Sequence, residues 1–132
     1  MSDQQEILEL LNQYIRAIHT QAPEDFLPIW ADSCTPCLIS IGKRFDGLES
    51  IYQDFCLGSI REKYSSIELV AESTTVQFVS ADTAILVFRY HTNCTLRSDS
   101  SYYSIAGIET QVYLRTQNGW RLAHVQYGKD NG

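Results

Sequence analysis

The hydrophobic period of this chain changes once, near Ser65, from helical to alternating, and that switch constrains the fold more than any motif. Upstream of it, Ile7, Leu8, Leu11, Tyr14, Ile15 and Ile18 recur at helical spacing, and Asp3 with Glu6 three residues on has the form of a capping box. A first helix is expected from about Gln4 to His19. Pro23 suits the first position of a short second helix, with Phe26, Leu27 and Trp30 turned inward and Asp32-Ser33 ending the pattern. A strand is expected near Leu38 to Ile41. Asp46-Gly47-Leu48-Glu49 then repeats the cap-and-glutamate signature, and Leu48, Ile51, Tyr52, Phe55 and Ile60 continue a buried stripe. Gly58 inside this third helix is unfavourable by about 1 kcal/mol relative to Ala, which points to a local bend or a close packing contact.

Downstream of Ser65, β-branched and aromatic residues alternate with polar ones, which predicts strands near Ile67 to Val79, Thr83 to Arg97, Ser101 to Arg115 and Trp120 to Tyr127. Ser80-Ala81-Asp82 and Asp99-Ser100 are the expected turns, and Asn118-Gly119 marks a hairpin joining the last two strands. Helices followed by sequential antiparallel strands describe one α+β domain in which a strongly curved, mainly antiparallel sheet holds three N-terminal helices in its concave face. The last hairpin carries an unusual polar row. Glu109, Gln111 and Tyr113 share one face of its first strand, and His124 and Gln126 share a face of its second. Amide and ionisable groups amid apolar strands either meet water or line a concave site.

Composition removes several function classes. A length of 132 residues, 44% hydrophobic and 20% charged, fits one domain without linker or repeat. A net charge of −6 with scattered Lys and Arg argues against a nucleic-acid surface. The longest apolar run, Ala84 to Phe88, is far short of the roughly 20 residues that span a bilayer, and the N-terminus lacks a basic region followed by an apolar one, so the expectation is a soluble cytoplasmic protein. Reduced thiols are therefore expected at Cys34, Cys37, Cys56 and Cys94. The Cys34-Thr35-Pro36-Cys37 spacing is that of a redox or zinc motif, but Cys37-Leu38-Ile39-Ser40 has strand character and nothing completes four zinc ligands. No metal is expected. No cofactor is expected either, because the glycine-rich, P-loop, His-Glu-x-x-His and nucleophile-elbow fingerprints are all missing.

The amphipathic first helix ending Ala17-Ile18, the stretch Ile29-Trp30-Ala31-Asp32, the Phe45-Asp46-Gly47 entry to the third helix and a last strand opening with Trp120 resemble the nuclear transport factor 2-like superfamily over nearly the whole chain. Phe88-Arg89-Tyr90-His91-Thr92, Glu109-Thr110-Gln111-Val112-Tyr113 and Asn118-Gly119-Trp120-Arg121-Leu122-Ala123-His124-Val125 look most like the association domain of calcium/calmodulin-dependent protein kinase II and its stand-alone relatives. The resemblance implies a cone-shaped fold, a pocket between the concave sheet and the helices, and self-assembly through the outer sheet face into a homodimer or a larger ring. It matches Arg89 to a pocket arginine, with His91 on the same strand face, and a guanidinium suits a carboxylate ligand. Gln111 stands where those kinase domains carry a second arginine, which weakens the implied anion preference.

More distantly, the chain is similar to ketosteroid isomerase and the SnoaL polyketide cyclases. That likeness sets Glu109 near their protonated aspartic acid and Tyr14 near their oxyanion-binding tyrosine, but Leu38 falls where the isomerases keep the catalytic aspartate. Two functions are thus open. One is a non-catalytic assembly module binding a small acidic or apolar ligand, with Arg89, His91, Gln111, Tyr113, Gln126 and Trp30 at its pocket. The other is a cofactor-independent isomerase, dehydratase or cyclase in which Glu109, Tyr14 and His124 move protons. Each residue also has a structural reading: Glu109 with Arg89 as a buried ion pair, His91 and His124 as hydrogen-bonded strand residues, Tyr14 and Trp30 as core.

Overall fold

A serine no motif singled out starts the first helix. In the computed structural model, which describes residues 1–132, α1 spans Asp3–Thr20, and Ser2 is its N-cap. The Ser2 hydroxyl accepts from the Gln5 N–H at 3.2 Å while Gln5 Oε1 accepts from the Ser2 N–H at 2.9 Å, a reciprocal pair that satisfies two otherwise orphaned donors. The cap expected at Asp3 and Glu6 is therefore one residue late, and those two carboxylates serve another purpose. Asp3 accepts from Arg115 Nη2 at 2.7 Å and Trp120 Nε1 at 3.2 Å, and Glu6 accepts from the Trp120 backbone N–H at 2.8 Å. They pin the helix to the last hairpin. The buried stripe of α1, Ile7, Leu10, Leu11, Tyr14, Ala17 and Ile18, lies in the concave face of the sheet.

After α1, α2 (Pro23–Phe26) begins with Pro at its first turn and tightens into a 3-10 turn at Leu27–Ile29. Phe26 and Trp30 are buried, with ring centroids 5.7 Å apart, whereas Leu27, expected inside, is exposed. The tighter 3-10 winding rotates it away from the core. β1 (Cys37–Ser40) then turns through Ile41 and Gly42, both at positive φ, into β2 (Lys43–Asp46), a strand where only a helix cap was expected. Asp46 is held by Arg44 at 2.9 Å, and the following helix starts at Gly47 with no side-chain cap. This helix, α3, opens at Leu48–Ser50 and runs on through Ile51–Arg61 with π-type winding. Gly58 sits in the widened part, where an added Cβ would lie 3.3 Å from the Gln53 carbonyl oxygen.

The strands β3 (Tyr64–Ser80), β4 (Thr83–Leu96), β5 (Tyr102–Tyr103), β6 (Ala106–Thr116) and β7 (Gly119–Lys129) complete a sheet of order β2-β1-β7-β6-β4-β3, with β5 paired to β4. All pairings are antiparallel except β1 with β7. The strand expected from Ser101 to Arg115 is split into β5 and β6. Three register shifts along β3 and β4 bend the sheet around the helices. A fourth shift, in the last hairpin, leaves Ala123 unpaired between Val112 opposite His124 and Tyr113 opposite Leu122. Trp120 and Leu122 point into the core before this bulge, and Val125 points inward after it. The strand's inward parity is therefore reset between Leu122 and Val125.

Candidate functional site

Three polar side chains lie on the inward face of β6, in a row at every second residue. Glu109 is 3% exposed, and Gln111 and Tyr113 are wholly buried. Their cross-strand neighbours are Phe88 and Tyr127 beside Glu109, Leu86 and Val125 beside Gln111, and Ala84 and Leu122 beside Tyr113. With such walls the three groups can satisfy one another and little else. The Tyr113 hydroxyl donates to Gln111 Oε1 at 2.5 Å, and Gln111 Nε2 donates to Glu109 Oε2 at 2.7 Å. The bond from Gln111 favours ionised Glu109, but burial outweighs it and lifts the carboxyl to about 8. At neutral pH Glu109 is mainly a neutral acid.

Glu109 ends at a cavity of about 540 Å³ between α1, α3 and the concave sheet. Tyr14, Tyr90 and Tyr127 stand around it, Phe55, Ile60, Ile67 and Leu69 give it an apolar wall, and Glu62 and Lys63 also line it. The Tyr127 hydroxyl is engaged with Ser40 Oγ at 2.5 Å. The hydroxyls of Tyr14 and Tyr90 bond to no protein group, and neither is sealed from the cavity, since the one sealed and unpartnered side-chain atom is Trp30 Nε1. Burial first, and then the proximity of Glu109, raises the Tyr14 and Tyr90 phenols well above the ordinary tyrosine range. Tyr127 is pushed up to about 12, mainly by burial. All of them keep their protons at physiological pH. The site combines a protonated carboxyl with free phenol donors in an apolar enclosure, which is suited to binding and polarising an acceptor oxygen.

The structure brings together Tyr14 and Glu109 at the cavity and Gln111 and Tyr113 behind it. It does not bring the other candidates there. On β4 the inward residues are Ala84, Leu86, Phe88, Tyr90 and Thr92, so Arg89 and His91 face outward, where Arg89 donates to Asp130 at 2.8 Å and His91 lies 2.6 Å from Glu72. No Glu109–Arg89 ion pair forms, since Glu109 is opposite Phe88 and Arg89 is opposite Ile108. The bulge at Ala123 turns His124 and Gln126 to the outer face, so the proton-transfer set of Glu109, Tyr14 and His124 is divided by the sheet. Trp30 is core and borders a separate cleft near Asp32 and Arg121. Tyr90, Tyr127, Ser40 and Lys63 were missed. The only signal for the three strand residues was inward parity, which the apolar run before Tyr90 leaves ambiguous, and Lys63 lies in the turn before β3, where no parity rule applies. The four cysteines are free, with Cys56 and Cys94 buried, and no group of three or more His, Cys, Asp or Glu is placed to hold a metal. No helix is long and apolar enough to cross a membrane.

Helices cradled by one curved mixed sheet, with a cavity between them, define the nuclear transport factor 2-like fold. The chain belongs to the SnoaL-like domain family, whose model matches residues 1–126. Among solved structures it is similar to a nuclear transport factor 2-like superfamily protein from Salmonella enterica serovar Typhimurium, at TM-score 0.91 and 24% identity over 98% of this chain and 94% of that one. It is also similar to the hexachlorocyclohexane dehydrochlorinase LinA-type3 from Novosphingobium barchaimii, at 0.84 and 17% over 94% and 84%. A Xanthomonas campestris protein provisionally assigned as a calcium/calmodulin-dependent protein kinase II association domain aligns at 0.78 and 17% over 96% and 86%. No curated protein matches the sequence.

Proposed function

We propose that this chain binds a small, mainly apolar molecule bearing one carbonyl or equivalent acceptor oxygen, and that protonated Glu109 and Tyr14 donate hydrogen bonds to that oxygen. The observation that carries this reading is a buried carboxyl with its pKa near 8 at the end of an apolar cavity beside a phenol with no protein partner. A carboxylate ligand fits less well, because Arg89, which would have received it, is on the other face and bonded to Asp130. Acetophenone is a suitable probe, apolar with a single carbonyl. Its affinity should fall as pH rises through about 8, and both Tyr14→Phe and Glu109→Leu should weaken it about fivefold or more, the worth of a neutral hydrogen bond or better. Equal binding by wild type and both variants across that pH range would defeat the reading.

The same carboxyl supports a second reading. A group that titrates near working pH is matched to proton transfer, so the ionised fraction of Glu109 would take a proton from the carbon beside the bound carbonyl, Tyr14 would hold the enolate oxygen, and the protonated carboxyl would return the proton to carbon in an isomerisation. The likeness to a dehydrochlorinase is consistent with such chemistry, though at that identity it bears on the fold alone. Deuterium uptake at the methyl group of acetophenone in heavy water, lost in Glu109→Gln, would establish it.

We also propose that a second copy of the chain covers the outer sheet face. Ile85 and Val87 on β4 and Ile108, Val112 and Leu114 on β6 form an adjoining, half-exposed apolar surface there, of the kind that marks an interaction site.

A further inference from the structure

The row on β6 does more than occupy space behind the cavity. Tyr113 has one hydrogen to give, and Gln111 Oε1 is the acceptor it reaches. The neighbours of Tyr113 on β4 and β7, Ala84 and Leu122, offer no side-chain acceptor. If the Gln111 amide were turned over, its NH₂ would face the phenol oxygen and the Tyr113 hydrogen would be buried without a partner, which is the more expensive arrangement. Tyr113 thus fixes the amide with Nε2 toward Glu109, and Nε2 is a donor that requires an acceptor at Glu109 Oε2. A neutral carboxyl that accepts on one oxygen carries its hydrogen on the other. That other oxygen, Oε1, has no protein partner and belongs to the residue end that lines the cavity.

Building on the proposed ligand site, we infer that the Tyr113–Gln111 pair is a positioning device that holds the Glu109 proton on Oε1, so that the inner end of the cavity presents donors and selects a ligand whose buried end is an acceptor without a hydrogen of its own, such as a ketone or quinone carbonyl. Tyr14 and Tyr90 add donors at the same end, since each has a hydroxyl hydrogen that no protein acceptor takes up, but a phenol oxygen also accepts, so the discrimination is carried by Glu109. A ligand entering with an N–H would meet hydrogen against hydrogen at Glu109. Without Tyr113 the amide is free to turn, the carboxyl proton moves to Oε2, and Glu109 becomes an acceptor. The selectivity is therefore set by residues that never touch the ligand.

The test compares wild type, Tyr113→Phe and, in case the single variant folds poorly, the double variant Gln111→Met/Tyr113→Phe, which removes both polar groups of the pair and leaves only Glu109 Oε2 without its donor. Circular dichroism confirms folding. The Glu109 carboxylic-acid carbonyl band is assigned in the infrared by difference with Glu109→Gln, and the affinities of acetophenone and of indole, an N–H donor, are measured at a pH below the Glu109 transition. Of the titratable groups around the cavity, Tyr14, Tyr90, Tyr113 and Tyr127 keep their protons there, and the others on its lining are Glu62, Lys63 and Tyr64. The expected result is a shifted acid band in both variants and a preference for acetophenone over indole that falls about fivefold on loss of the fixed donor. A folded variant with an unshifted band and unchanged preference would overturn the inference, leaving the pair as packing. The band alone decides the pair if acetophenone binds none of the proteins. A wild type with no acid band would instead sink the protonated-carboxyl reading of the site, so the two failures are distinct.

Discussion

A carboxyl buried as Glu109 is leaves a signature in stability as well as in binding. Its folded pKa, about 8, lies above its ordinary value of 4.5, so between these limits the folded protein holds a proton that the unfolded chain releases. Stability therefore falls as pH rises through that window, by about 1.4 kcal/mol per pH unit where the difference in bound protons is complete. Glu109→Gln keeps the size and a hydrogen-bonding amide but cannot ionise. Urea unfolding across the window should show the wild-type slope lost in this variant, and a persisting slope would place its origin elsewhere. Gly107, opposite Tyr90 in the sheet, is constrained by contact. A Cβ there would fall 2.5 Å from the Gly128 carbonyl oxygen and into the Tyr90 ring. Because the backbone contact cannot give cheaply, Gly107→Ala is expected to destabilise by about 1–3 kcal/mol and to displace Tyr90, which acetophenone binding would register.

The union of α1 with the β6–β7 hairpin rests on a few polar contacts that sequence pattern assigned to another task. Asp3 and Glu6 were legible as helix-start residues, but their partners Arg115 and Trp120 lie more than a hundred positions away, beyond any local rule. Glu6→Ala would leave the Trp120 N–H without its acceptor, with an expected loss of about 1–3 kcal/mol. Glu6→Gln should recover much of it, a comparison read by thermal unfolding. The same division runs through the other elements. The period of α1 and the Asn118-Gly119 turn were strong local signals, and the structure has both where they were expected. β2 was hidden because Lys43-Arg44-Phe45-Asp46 has only one buried residue to mark it. The facing of Arg89 and His91 was illegible because β4 is apolar on both sides, and that of His124 because one unpaired residue, Ala123, inverts the alternation. The polar row of β6 was readable as a row, since Glu109, Gln111 and Tyr113 need only strict alternation. That it is a directed chain of hydrogen bonds required its neighbours on both sides.

At the scale of the whole molecule, the sheet has two faces with opposite needs. The concave face is closed by α1 and α3, and its polar row is paired internally except at Glu109 Oε1, which meets the cavity. The convex face holds Ile85, Val87, Ile108, Val112 and Leu114 half exposed, bordered by Arg89, His91 and Gln126. Apolar residues on a strand's outward positions are retained at a penalty in water unless something covers them, and a two-fold partner presenting the same patch is the simplest complement. If a second copy is the cover, a charge at the patch centre is introduced twice across the axis and is desolvated each time. Val112→Lys is suited to this, because Val112 is on the outer side of β6 opposite His124 and touches none of the cavity residues' positions. Sedimentation velocity should find the wild type as a dimer and Val112→Lys as a monomer, with acetophenone affinity unchanged in the monomer because every proposed ligand contact comes from one chain. A wild-type monomer would remove the second copy as the cover, whereas a larger ring would require a further contact outside this patch. A dimer whose separation also abolishes binding would mean that the cavity, though built within one subunit, depends on the sheet curvature that the partner maintains.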